Sequence, residues 1–204
     1  MRPWLFILII PLALALSGCG TFHPEMVQIP ERTADVYPTA QSHAGVAVAI
    51  DPIVEAHRTT RYFGADLREE GILPVNVVVS NHGQHRIRVQ PSDILLHRGG
   101  QVVDPLPIKL VTREVRESGL NTTDRAGKEL HEYLGSLAFG ETVVMPQDSY
   151  DGVMFFDLGQ TRGERFAELD VIELFSHSRY QVDMKVTVMD TSRRLDFGPF
   201  LVGY

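Results

Sequence analysis

The sequence predicts a mainly β fold: an immunoglobulin-like antiparallel β-sandwich with a helical pair inserted at about residues 104–140. Three observations carry that expectation. From Gly45 onward apolar and polar residues alternate with period 2, as they do in strands with one buried face. Turn residues interrupt the alternation at short intervals, which gives about eight or nine strands. Between Asp104 and Gly140 the apolar spacing changes to that of a helix.

The elements follow in order. Val46, Val48 and Ile50 share one strand face, and Val75, Val77 and Val79 share another within residues 73–80. Asn81-His82-Gly83 is turn chemistry and predicts a hairpin, whose return strand places His85, Ile87 and Val89 on one side and Arg86 and Arg88 on the other. A second hairpin runs from 94–97 through Gly99-Gly100 to Val102 and Val103. Later strands are expected at 142–145, 153–157, 169–175, 180–189 and 195–202. The clearest has Val182, Met184, Val186 and Val188 inward, against Asp183, Lys185 and Thr187 outward. A partly open barrel is the structural alternative.

Within the insertion, Asp104 is a candidate N-cap with Pro105 in the first helical position, and Ile108, Val111 and Val115 form a stripe ending before Gly119. Asp124 is a candidate cap for a second helix, in which Leu130, Tyr133, Leu134 and Leu137 repeat on one face and Gly140 closes the element. The pair reads as a cover over the sandwich, with a lid or docking surface as the functional alternative.

The first 18 residues read as a signal peptide: Arg2 is followed by an uncharged run from Leu5 to Leu16, broken by Pro11 and short of the roughly 20 residues a membrane span needs. The run ends in Leu16-Ser17-Gly18-Cys19. This box resembles the bacterial lipoprotein signal, which implies recognition of Leu16, Ser17 and Gly18 by the signal peptidase and a diacylglyceryl thioether with an added acyl chain on Cys19. Such multiple acylation anchors firmly. Gly20 is not the Asp that favours inner-membrane retention, so in a Gram-negative host the resemblance implies an outer-membrane anchor facing the periplasm. Residues 19–44 hold Pro24, Pro30 and Pro38 and no sustained apolar period; they read as a lipidated cysteine and a flexible tether, spanning roughly 25 to 30 Å, ahead of a domain at 45–204. The segment from Tyr62 to Gly83, and Met145-Pro146 with Gly152-Val153-Met154-Phe155-Phe156, resemble parts of uncharacterised immunoglobulin-like envelope lipoproteins.

Removing the signal leaves 18 basic and 26 acidic side chains, which argues against a nucleic-acid partner, since phosphate neutralisation needs clustered Lys and Arg. A single cysteine excludes an internal disulfide, and its lipidation removes it as a nucleophile. His82, His85 and His97 are candidate metal ligands, without HExxH or Cys spacing to support them. Asp148, Asp151 and Asp157 surround Gly152 without the alternating pattern of a calcium loop. No Gly-x-Ser-x-Gly elbow surrounds Ser92 or Ser136, and Glu69 with Glu70 reads as a solvated pair. Arg86 with Arg88 is a candidate anion grip, and the apolar chain end from Phe197 to Tyr204 a final strand or an edge for strand addition.

These readings lead to a membrane-anchored envelope lipoprotein acting as a non-enzymatic protein-binding or structural module, with no catalytic or metal residues and no cofactor besides the lipid on Cys19. Its expected partners are the membrane and an envelope protein. The alternatives are a small-ligand or lipid-binding domain with a cavity beneath residues 104–140, and a metal-dependent hydrolase using His82, His85 and His97.

Overall fold

In the computed structural model, which describes residues 27–117, 124–158 and 180–202, the alternating stretches become ten strands. They are β1 (Gln41–His43), β2 (Val46–Pro52), β3 (Ile72–Asn81), β4 (Ile87–Val89), β5 (Ile94–Arg98), β6 (Gln101–Val103), β7 (Thr142–Val144), β8 (Ser149–Asp157), β9 (Tyr180–Val188) and β10 (Arg193–Val202). Three helices accompany them: α1 (Ala56–Phe63), α2 (Ile108–Glu117) and α3 (Asp124–Leu137). The first sheet has the order β1-β2-β3-β8; the second runs β6-β5-β9-β4-β7, with β10 on the other edge of β9. All the strand pairs are antiparallel. The chain is a β-sandwich with a helical insertion.

The period-2 sets meet between the sheets. Val48 and Ile50 of β2, Val75, Val77 and Val79 of β3 and Phe156 of β8 pack against Ile87, Leu96, Val182, Met184 and Val186 from the second sheet. Each such side chain contributes about 1.5–3 kcal/mol on burial. β3 is buried at all ten positions, on both faces, because its outer face is also covered.

The sequence-expected hairpin after β3 does not form. β3 already has β2 on one edge and β8 on the other, so the chain at Asn81-His82-Gly83 crosses to the second sheet and β4 pairs with β7 and β9 instead. Asn81 fastens this corner: its Nδ2 donates to the carbonyls of His85 (2.8 Å) and Val144 (3.1 Å), and its Oδ1 accepts from the Gly83 amide (3.0 Å). The β5–β6 hairpin forms as expected, with φ of +55° at Gly99 and +87° at Gly100. Positive φ at both central residues is the geometry that suits the twist of a two-residue hairpin.

The helical pair also forms, with two corrections. α2 starts at Ile108 and not behind Asp104, because β8 captures the preceding residues as extended chain: Pro105 bridges to Phe156, and the Leu106 amide donates to the Phe155 carbonyl (2.7 Å). α3 ends at Leu137, before Gly140, because Ala138 bridges to Val153 and the Phe139 amide donates to its carbonyl (3.0 Å). The insertion is therefore stapled at both ends to the outer edge of β8. α1 was not legible as a helix, since only Thr59 and Phe63 of its eight residues are buried; Gly64, at φ +77°, ends it in the left-handed conformation that glycine adopts without strain. The strand expected at 169–175 and the stop at Gly119 lie outside the described residues.

Candidate functional site: a polar seam beneath the N-terminal strap

The outer face of the first sheet carries two covers. Over one part lie the helices. Val111 and Val115 of α2 and Leu130 and Leu134 of α3 are buried with Phe63, Leu67, Val153 and Phe155 in a second apolar cluster, and Ile108, Tyr133 and Leu137 pack beside them. The expected helical stripes thus face the sheet and share one apolar cluster with it. The Tyr133 hydroxyl donates to the Tyr62 carbonyl (2.8 Å), tying α3 to α1.

The turn after α1 is organised by Asp66, which accepts hydrogen bonds from the Thr59 hydroxyl (3.1 Å) and from the Arg68 amide (3.2 Å) and Nε (2.8 Å). Burial pushes the Asp66 carboxyl upward, but the hydrogen bonds and charge of Arg68, with Thr59, outweigh it and hold the group below its ordinary value. A depressed folded-state pKa adds stability above the unfolded value of about 3.9, and that stability is lost as pH falls through the folded value. Asp66→Asn is expected to cost about 1–2 kcal/mol at pH 7, a cost that shrinks in urea denaturation at a pH acid enough to protonate Asp66. An equal loss at both pH values would show that the charge is not the cause.

The second cover is a strap. The expected tether, residues 19–44, is shorter than its composition suggested, because Ile29 is buried in the helical cluster and Ala34 against Ala47, Ala49 and Val78. The Ala34 amide donates to Ser80 Oγ (2.9 Å), and Thr39 Oγ1 donates to the Ile50 carbonyl (2.5 Å) and accepts from its amide (3.2 Å). β1 then joins the sheet beside β2, and Gln41 accepts from the Gly198 amide (2.8 Å). This docking needs small buried residues and isolated polar contacts instead of an apolar period, so hydrophobic patterning could not reveal it.

Between the two covers runs a polar seam. Asp51 and Asn76 face each other across β2 and β3, and Asp151 of β8 lies two pairs along, opposite Val78 of β3. The Arg58 guanidinium of α1 grips Asp51 with both terminal nitrogens, donates to Glu55 (3.2 Å) and lies 6.0 Å from the Tyr62 ring centre. Burial works against its charge, but Asp51 and Glu55 hold Arg58 more firmly protonated than usual. Burial, then the charge of Glu31, pushes the Asp151 carboxyl up. Burial also pushes the Tyr37 phenol up, reinforced by Asp51 and Asp151 and opposed by Arg32 and the Asn76 amide.

Asn76 is 0% exposed; the Tyr37 phenol of the strap faces its amide, but neither amide atom has a partner in good hydrogen-bond geometry. An unpaired buried amide costs about 1–3 kcal/mol. Asn76→Val is therefore expected to raise stability by about 1 kcal/mol, measured as a rise in the urea midpoint; a loss instead would mean that the amide is paired in solution. A lone Asn among valines, Val75-Asn76-Val77-Val78-Val79, was the available sequence signal for this site.

The sequence-selected candidates lie elsewhere or apart. His82, His85 and His97 each face a different carboxylate: Asp35 (2.6 Å), Asp190 (3.1 Å) and Asp183 (3.3 Å). Among the described residues, no group of three or more His, Cys, Asp or Glu side chains is placed to hold a metal ion. Asp148 sits in the turn before β8, while Asp151 and Asp157 are separated along β8 by about 20 Å. Ser136 donates to the Tyr133 carbonyl (2.7 Å), and Ser92 lies in a short 3-10 turn. Glu69 and Glu70 lie in the turn from Asp66 to Gly71. Arg86 approaches Asp190 (3.5 Å), and Arg88 lies between Val143 and Thr187 in the second sheet. Residues 197–202 of the apolar segment form the second half of strand β10, with Phe197, Phe200 and Val202 buried and the ladder with β9 interrupted at Gly198-Pro199, while Gly203 and Tyr204 lie outside the described residues. Leu16, Ser17, Gly18 and Cys19 lie outside the described residues; among those described, no helix is long and apolar enough to cross a membrane.

No family model matches the chain, and no curated protein is significantly similar to it. Among solved structures it is similar to the Bacillus subtilis lipoprotein candidate YcdA, with 14% identity over 78% of this chain and a TM-score of 0.41; the match spans only 37% of YcdA. YjhA of Bacillus subtilis is matched at 10% identity, covering 77% of this chain and 93% of that one, with a TM-score of 0.39. A FixG-related protein from Vibrio parahaemolyticus is matched at 6% identity over 74% and 90% of the two chains, with a TM-score of 0.35.

Proposed function

We propose that this chain is a lipid-anchored module of the bacterial cell envelope that recognises or supports another envelope protein and performs no catalysis. The observation that carries the reading is Leu16-Ser17-Gly18-Cys19 at the close of an uncharged run. The anchor supplies location: in a Gram-negative host it is the periplasmic face of the outer membrane. The β-sandwich supplies the recognition surface. On the outer face of the second sheet Leu95, Val102, Val143 and Leu201 stand exposed among Asp183, Lys185, Arg88 and Asp196, a mixture of aliphatic and charged groups suited to a protein partner. The apolar cluster that joins α2 and α3 to Phe63, Leu67, Val153 and Phe155 supports this reading over a ligand cavity there. No cofactor besides the lipid is invoked, and the acidic balance argues against nucleic acid.

Photo-crosslinking in native envelopes tests this. Probes at Leu95, Val102, Val143 and Leu201 are expected to capture one specific envelope protein, with capture lost in Cys19→Ala. Capture of nothing from this face or from the turns would overturn the recognition role.

A further inference from the structure

The strap is held to the sheet at few points. Between Ile29 and Thr39 only Ile29 and Ala34 are buried, while Pro30, Glu31, Arg32 and Thr33 are all exposed. Beneath it lies a seam that closes imperfectly: the Asn76 amide is faced by Tyr37 of the strap but has no partner in good hydrogen-bond geometry, and Asp151 meets Glu31, a like charge. The strap also governs reach. Ten residues separate Cys19 from the docked Ile29, and they can span at most about 35 Å; with the strap free as far as Gln41 the limit rises to about 75 Å. Docking at Ile29 also brings the chain in beside the helices, so that end of the domain is held nearest the anchor.

We propose that residues 29–40 form a releasable strap, and that its docking on the first sheet sets how far the domain stands from its lipid anchor. The reach rests on the anchoring function proposed above; the docking equilibrium does not.

The groups that face the seam are Asp51, held by Arg58 of α1, and Asp151 from the sheet, with Glu31, Arg32 and Tyr37 from the strap. At the far end His82 faces Asp35. Asp151 is the carboxyl whose docked-state pKa is raised. Docking is therefore favoured when it is protonated and weakens as pH rises through the raised value.

The test is hydrogen exchange on the full lipidated chain in phosphatidylethanolamine–phosphatidylglycerol vesicles, corrected for intrinsic rates. The Ala34 amide is expected to open at least tenfold more often than Val77 and Val78, with protection falling as pH rises from the ordinary carboxylate value of about 3.9 toward neutrality. Asp151→Asn is expected to abolish that fall, and His82→Gln to leave it. Exchange of Ala34 only together with β3, or an unchanged fall in Asp151→Asn, would overturn the strap.

For reach, Asp35→Cys with His82→Cys, joined by a short bifunctional thiol reagent, locks the strap through exposed side chains. Energy transfer from a dye at residue 189 to a bilayer dye is expected to show a longer range of distances in the unlocked than in the locked protein. Equal distances overturn the reach. Absence of lipid on Cys19, read from the mass of the N-terminal peptide, overturns the anchoring and with it the reach, while exchange still decides whether the strap opens.

Discussion

Gly152→Ala is expected to cost about 2–4 kcal/mol and to lower the melting temperature by about 10 °C. A Cβ on Gly152 would stand 2.6 Å from Phe139 Cα and 2.8 Å from its amide nitrogen. Both are backbone atoms, so no rotamer relieves the clash. The chain leaving α3 would have to lift off β8, breaking the hydrogen bond from the Phe139 amide to the Val153 carbonyl. Calorimetry of the purified domain checks the loss. Gly135→Ala is the control: nothing lies within 4 Å of that Cβ, and an alanine in helix α3 should add up to about 1 kcal/mol. Similar effects at the two positions would show that the helical insertion is not stapled to β8 at Phe139.

Phe155→Ala and Phe156→Ala are each expected to destabilise by about 3–5 kcal/mol, with different consequences. The two neighbours on β8 project into opposite cores. Phe155 packs in the helical cluster, edge-on to Phe63 at 5.5 Å between ring centres, and Phe156 belongs to the core between the sheets. Removing Phe155 should raise hydrogen exchange in α1, α2 and α3 while β9 stays protected. Removing Phe156 should raise exchange in both sheets together. The same exchange pattern for the two variants would mean that the helical layer and the sandwich open as one unit.

How much of this was legible in the sequence depends on which force positions each element. The strands with one buried face were, because alternation is the direct trace of burial, and Val182, Met184 and Val186 point inward as read. The Gly99-Gly100 hairpin was legible because turn chemistry is local. Partner choice was not: nothing local to Asn81-His82-Gly83 says that β8, about 70 residues on, occupies the edge β4 would need. The helix boundaries failed for the same reason, since β8 holds Pro105 and Phe139 outside the helices. The seam was missed because its signal is one buried Asn, and periodicity reads faces and not single polar residues. The lipidation proposed for Cys19 is the reverse case, since it rests on a local motif read without reference to the fold.

β9 is the strand on which the second sheet closes. It pairs with β5 along its first half, with β4 near its end and with β10 on its other edge, yet it begins at Tyr180, more than 80 residues after β5. Pairings of that separation carry a large loop-closure cost and fold slowly. A chain emerging from its amino end therefore presents β4 and β5 with an empty edge until the residues from Tyr180 onward have been delivered. Ile87, Val89, Ile94 and Leu96 of those strands, harmless in the finished molecule, are an aggregation hazard during that interval. Strands β9 and β10 act as the closing step of biogenesis, and a chain truncated before Tyr180 should accumulate as insoluble or proteolysed material even though the strands of its first sheet are all present.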